Sequence, residues 1–165
     1  MKFIADAMLG RLARWLRVLG FDVLYYSDIG DGQLVKTARE EERTILTRDT
    51  HFLERRQGTD VMFIHDDDVF AQLVQIRDKL DFRDIAPLGR CMICNGMLER
   101  VAQKEEVRDS VPEFIYLSVH AFAICGGCGK IYWCGSHQQG IRKRILSIFP
   151  DYKGLFYAAE DGGGK

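Results

Sequence analysis

Apolar positions in the first eighty residues switch repeatedly between two periods. Lys2–Ala5 is a short apolar run that predicts a strand, and Leu9, Leu12, Ala13, Leu16 and Leu19 then recur at helical spacing until Gly20 ends the pattern. Asp22–Tyr26 predicts a second strand, and Asp31–Glu42 a second helix with Leu34, Val35 and Ala38 on one side. Thr44–Thr47 and Val61–Ile64 read as further strands, Thr50–Arg56 as a short helix, and Val69–Leu80 as a longer one with Val69, Leu73, Ile76 and Leu80 in register. Strands alternating with helices need crossover connections, so the expected product is an α/β domain whose mostly parallel sheet is covered on both faces. Periodicity fails across 81–90, where Pro87 and Gly89 punctuate the chain. The expected organisation is therefore a first domain at 1–84, a small β-rich second domain at 85–150 with a C-terminal helix, and a tail at 151–165. The tail ends in Gly162-Gly163-Gly164-Lys165 and is expected to be disordered.

The second domain is defined by four cysteines in two matched pairs, Cys91-x-x-Cys94 and Cys125-x-x-Cys128. Each pair can aim two thiolates at one ion, and together they form the S₄ set that zinc prefers. Thirty residues (95–124) separate the pairs, enough for a β-excursion out and back. Two disulfides or two redox-active pairs are the alternatives. The start Met1-Lys2-Phe3-Ile4-Ala5-Asp6 is too soon charged for a secretory signal, which leaves a reducing, cytoplasmic setting as the default expectation. A closed S₄ zinc site has no open coordination position, so it is structural, and chemistry must be sought elsewhere. Cys134, six residues past Cys128, is surplus to that set.

Acidic residues offer that chemistry. In a parallel sheet the strand carboxyl ends share one edge with the starts of the following helices. Asp6 ends the first strand, Asp31 opens the second helix, Asp49 follows the third strand, and Asp66, Asp67 and Asp68 follow the fourth. Taken one at a time, Asp31, Asp49 and Asp68 are also good helix N-caps, a role that suits Asp6 less. Taken together, carboxylates from four segments repel one another unless a cation sits among them, and hard oxygen donors favour Mg²⁺ or Mn²⁺. No second carboxylate stands two residues after Asp6, as a haloacid-dehalogenase-type phosphatase requires. The phosphate-binding loop and the serine-nucleophile elbow are also missing from the sequence. What remains is metal-dependent hydrolysis of a phosphodiester.

Composition neither adds nor removes a polyanion partner. The chain of 165 residues is 47% hydrophobic and 28% charged, with net charge −1, so any grip on nucleic acid must come from local clusters. No apolar run reaches membrane-spanning length, and no membrane association is expected. Arg11, Arg14 and Arg17 recur every three residues on the first helix. They read either as its solvated face or, for Arg11 and Arg14, as cations for phosphates near Asp6. Arg48 beside Asp49 is a similar candidate. In the second domain Arg142-Lys143-Arg144 offers phosphate contacts, and Tyr132-Trp133 serves either base stacking or the small core.

Several of these motifs also carry a resemblance. Asp6-Ala7-Met8-Leu9-Gly10-Arg11-Leu12-Ala13-Arg14-Trp15-Leu16-Arg17, Asp31-Gly32-Gln33-Leu34 with Ala38, and Leu46-Thr47-Arg48-Asp49 resemble the Mut-seven C-terminal RNase domain. Cys91–Gly96, Val111-Pro112, Cys125–Gly129, Ile131-Tyr132-Trp133 and Gly135-Ser136-His137 are similar to its appended zinc ribbon, so the likeness spans about residues 1–145. The resemblance implies a PIN-like three-layer nuclease domain with a metal-dependent ribonuclease centre at Asp6, Asp31 and Asp49. Asp67, with Asp66 as alternative, is the candidate for the fourth acidic ligand usual in PIN nucleases. RNA, in single-stranded regions, is the implied substrate, and the pairing with a zinc ribbon raises ribosome or ribonucleoprotein association by analogy. The rival reading is a non-catalytic RNA- or protein-binding module with a vestigial acidic site.

Overall fold

A computed structural model describes residues 1–54, 58–83, 88–133 and 135–152. Cys134, the glycine-rich terminus and the end of the helix expected at Thr50–Arg56 lie outside the described residues. The first domain is a four-stranded sheet of β1 (Lys2–Ala5), β2 (Asp22–Tyr25), β3 (Thr44–Thr47) and β4 (Val61–Phe63). Its order is β2-β1-β3-β4, and every pairing is parallel, with Phe3 opposite both Val23 and Thr44, and Ile45 opposite Val61.

Side-chain alternation divides each strand between two cores. Phe3, Ala5, Val23, Leu46 and Met62 face one way, into a cluster with Leu12 and Leu16 of α1 (Gly10–Val18) and Leu73 and Ile76 of α4 (Val69–Ile76). Ile4, Ile45, Leu24 and Val61 face the other way, toward Leu34 and Ala38 of α2 (Asp31–Glu40) and Phe52 of α3 (Thr50–Glu54). The sheet is thus covered on both faces, as a period-2 pattern in parallel strands requires. Helix lengths differ modestly from the sequence reading. The α2 helix stops at Glu40, ahead of Glu42, which takes φ 54°, and α4 tightens into a 3-10 turn at Arg77–Lys79.

The second module is an antiparallel sheet of β5 (Leu98–Arg100), β6 (Phe122–Cys125) and β7 (Ile131–Trp133). The segment between the cysteine pairs is more than a β-excursion. It carries a 3-10 helix at Lys104–Ser110, opened by a capping box between Gln103 and Glu106, and then α5 (Glu113–Ser118) after Pro112. Val107 and Val111 of this stretch pack on Phe122 to make a third, small core. The final helix, α6 (Ser136–Ile148), turns Ile145 and Ile148, with Phe149 beyond it, into the first domain's core beside α1 and α4. No helix among the described residues is long and apolar enough to cross a membrane.

Candidate active site and metal centre

The sheet order places a topological switch at its middle. From β1 the chain crosses over one face through α1 to β2, and from β3 over the other face through α3 to β4, so connections leave the adjacent strands β1 and β3 on opposite sides. The carboxyl ends of such a strand pair border the crevice where α/β sheets bind ligands. Asp6 and Asp49 stand there, directly after β1 and just after β3.

Asp6 is tightly oriented. Its Oδ1 accepts from the Met8 amide at 2.9 Å, and its Oδ2 accepts from the Thr47 hydroxyl at 2.5 Å and the Arg48 amide at 2.9 Å. The Asp6 amide in turn donates to the Leu46 carbonyl at 3.0 Å, which locks the end of β1 to β3. Asp6 also caps a 3-10 turn at Ala7–Leu9, a capping role that the sequence made least expected of it. The Thr47 hydroxyl accepts from the Asp49 amide at 3.0 Å, and Asp49 Oδ1 accepts from the His51 amide at 2.9 Å. Thr47 is fully buried, and its one hydroxyl connects both acidic residues. In the sequence it is only a strand residue, because nothing local marks a threonine that bridges two strands.

The other acids sit differently. Asp31 is the first residue of α2, whose N-cap is Gly30, so it does not cap that helix, and its side chain is exposed. Asp67 forms an ion pair with Arg48. Asp66 accepts from the Asp68 amide, and Asp68 caps α4 through the amides of Phe70 and Ala71. Among the described residues, the four cysteines are the one group of three or more potential ligand side chains drawn close enough to hold a metal ion. The carboxylates share an edge without forming such a group.

Of the candidate cations, Arg11 and Arg14 are exposed on α1, and Arg142, Lys143 and Arg144 are exposed on α6. The Arg144 guanidinium stacks over the Phe70 ring, 4.2 Å from its centroid, and Phe70 packs edge-on against Trp15. Arg17 departs from the other α1 arginines. It is 3% exposed, and it donates through Nε to the Val23 carbonyl and through Nη1 to the carbonyls of Met92 and Ile93.

The cysteines form two congruent knuckles. The Cys91 amide donates to the Gly96 carbonyl and the Asn95 amide to the Cys91 carbonyl. Likewise, the Cys125 amide donates to Lys130 and the Gly129 amide to Cys125. Asn95 and Gly129 hold the same left-handed position, φ 68° and 70°. Sulfurs lie 3.6 Å apart for Cys91–Cys128 and 3.3 Å for Cys94–Cys125, with all four ligand atoms within 4.8 Å of one another. No disulfide joins them, and a tetrahedral zinc with bonds of about 2.3 Å would set sulfurs about 3.8 Å apart. Gly96 suits this closeness: a Cβ there would stand 3.0 Å from Cys125 Sγ and 3.3 Å from Cys94 Sγ and crowd both sulfurs.

Within the knuckles the sulfurs act on one another. Burial works to raise the Cys91 thiol, but hydrogen bonds from Tyr132 and from the Cys94 and Ile93 amides outweigh it and bring it down to about 6. Cys94 goes the other way, up to about 12: the Gly96 amide favours its thiolate, but burial and the three neighbouring sulfurs prevail. Tyr132, a candidate base-stacking residue, instead sets its hydroxyl 3.0 Å from Cys91 Sγ, while Trp133 packs with Phe122. The cluster fits zinc in donor type, number and spacing.

The family model of the Mut7-C RNAse domain matches residues 1–145, and the chain belongs to that family. Comparison with curated proteins and with solved structures finds no match. Membership points to a nuclease-type function with RNA as substrate.

Proposed function

We propose that this member of the Mut7-C RNAse domain family is a metal-dependent ribonuclease that cleaves RNA endonucleolytically in single-stranded regions, on a PIN-like domain. The observation that carries the reading is the meeting of Asp6 and Asp49 at the switch point of the sheet, both tied to the Thr47 hydroxyl. Asp6, Asp31 and Asp49 would hold Mg²⁺ or Mn²⁺, with Asp67 the candidate fourth carboxylate on the same edge. When bound, such an ion supplies an activated water and a counter-charge for the leaving oxygen.

The chain's own residues have definable tasks. Three donors fix the Asp6 carboxylate before any ligand arrives, which removes the cost of orienting it. Arg48 is balanced by Asp67 and becomes a phosphate ligand by exchanging one anion for another. Arg11 and Arg14 on α1, with Arg142, Lys143 and Arg144 on α6, are the remaining phosphate grips, and these positions carry no sequence readout of their own. The zinc module is structural in this reading, with one Zn²⁺ at Cys91, Cys94, Cys125 and Cys128. The test is cleavage of matched single- and double-stranded RNA and DNA in Mg²⁺, in Mn²⁺ and in EDTA. Cutting of single-stranded RNA with either metal and none in EDTA supports the proposal. RNA binding without cutting under any metal would establish the rival, a binding module.

A further inference from the structure

The first knuckle is fastened to the first domain by three side chains that the acidic centre does not use. Arg17 of α1 reaches 75 and 76 residues along the chain to the carbonyls of Met92 and Ile93, which lie between the ligands Cys91 and Cys94. Asn95, in the left-handed position of that knuckle, gives its Nδ2 to Asp22 Oδ1 at 2.8 Å and takes the Val23 amide on its Oδ1 at 3.0 Å. Arg90 pairs with Asp22 Oδ2 at 3.2 Å and donates to the Asn95 carbonyl. In the second knuckle Gly129 fills the position equivalent to Asn95, so the geometry there needs no side chain. The asparagine is present for what it touches.

Arg17 poses a charge problem. Its guanidinium is buried, and among the described residues no carboxylate forms an ion pair with it. An isolated buried cation is costly, and uncharged carbonyls offset that only in part. Burial pulls the guanidinium below its ordinary value, and the largest opposing influences are the Cys91 and Cys94 sulfurs, with Asp22 a smaller one. Four thiolates around a divalent ion leave a doubly negative group. Such a group supplies Arg17 with the anion it lacks among the ion pairs, and Arg17 in turn offsets one of the group's two negative charges.

We propose that Arg17 and Asn95 are positioning residues that couple metal occupancy of the four cysteines to the stability of the first domain. Arg17 serves as the counter-ion of the metal–thiolate group, and Asn95 carries the knuckle's closed shape to β2. The coupling is reciprocal by linkage: what the metal contributes to the first domain, that domain returns as metal retention. It depends on the cysteine site alone and stands or falls apart from any activity at the acidic edge.

The test uses the full zinc-loaded chain with Trp133→Phe, which leaves Trp15 of α1 as the one tryptophan and a reporter on the first domain. In this parent, EDTA should lower the Trp15 unfolding midpoint by about 5 °C or more. Asn95→Gly keeps the left-handed backbone and the full zinc content, yet should at least halve that shift. Arg17→Met should speed zinc release into a colorimetric chelator by about tenfold, the usual effect of losing a partner outside the ligand set. A midpoint indifferent to EDTA, or an Asn95→Gly chain whose EDTA shift equals the parent's, would overturn the proposal. So would parental zinc release from Arg17→Met. Should Arg17→Met fail to fold, the Asn95→Gly comparison decides alone.

Discussion

The Thr47 hydroxyl donates to Asp6 Oδ2 across 2.5 Å, from a fully buried position at the end of β3 to the acidic residue that ends β1. The same oxygen takes the Asp49 amide at 3.0 Å, so its donor and acceptor capacities serve the two acidic residues in turn. One threonine hydroxyl therefore holds both the Asp6 carboxylate and the Asp49 backbone.

Thr47→Val keeps the shape of that side chain and removes both hydrogen bonds. Loss of the buried pair should cost about 1–3 kcal/mol of stability, and the freed Asp6 should lower single-turnover cleavage by about tenfold. Thr47→Ser keeps the hydroxyl and should retain most of the activity. Equal activity in the two variants would show that the Thr47 hydroxyl does not orient Asp6 for cleavage.

The cysteine site predicts one zinc per chain by elemental analysis. Cys91→Ser or Cys125→Ser should destabilise the second module, because binding energy at such a site is largely folding energy. Gly96→Ala is a sharper probe, since its Cβ would crowd Cys125 and Cys94 while every ligand remains. It should weaken zinc retention in a chelator competition. Full zinc in a chain lacking both Cys125 and Cys128 would contradict the assignment.

The alternation of Phe3 and Ala5 against Ile4 was legible in the sequence, because a buried parallel strand must satisfy two faces. So were the paired cysteines, whose spacing survives as two congruent knuckles. Placement of Asp6, Asp31 and Asp49 along the carboxyl edge of the sheet follows from parallel strands alone, while among the described residues the three carboxylates are not drawn into one ligand group. What local pattern could not give was any role set by distant partners. Arg17 reads as one of three arginines on a polar helix side, yet it is buried, with one acceptor on the next strand at Val23 and two more 75 and 76 residues away. Asn95 looks like a turn residue, which it is, while its side chain serves Asp22. The helices between Gln103 and Ser118 were missed because a short capping box and a single proline carry their signal, without a long apolar period.

Asp22 gives the pH prediction. Burial would raise its carboxyl, but hydrogen bonds from Arg43 and Asn95 and the charges of Arg43 and Arg90 outweigh that and hold it below its ordinary 3.8. A carboxyl depressed in the folded state contributes stability that is fully present above its unfolded value and is lost as pH falls through the folded one. Denaturant titrations should therefore show the wild type losing stability as pH drops below about 4, with Asp22→Asn less stable at neutral pH and flatter in that acid range. Parallel pH profiles would show that the Asp22 junction does not contribute.

On α6, Arg142→Ala/Lys143→Ala should weaken RNA binding and reduce the log–log salt slope by about one unit per lost phosphate contact. Arg144→Ala should additionally lower thermal stability, because it leaves the Phe70 ring uncovered. A salt slope unchanged in the double variant would assign the grip to Arg11, Arg14 and Arg48.

Catalysis at the acidic edge is tested by single-turnover cleavage of a single-stranded RNA in Mg²⁺ by wild type and Asp6→Asn, with RNA binding measured alongside. An asparagine cannot accept from Met8, Thr47 and Arg48 together, since its amide nitrogen would meet a donor on one side. A stability loss of about 1–2 kcal/mol is therefore expected, and the assay belongs well below the variant's melting temperature. The wild type should cut, and Asp6→Asn should bind without cutting. Equal Mg²⁺-dependent cleavage by the two proteins would contradict catalysis at the acidic edge.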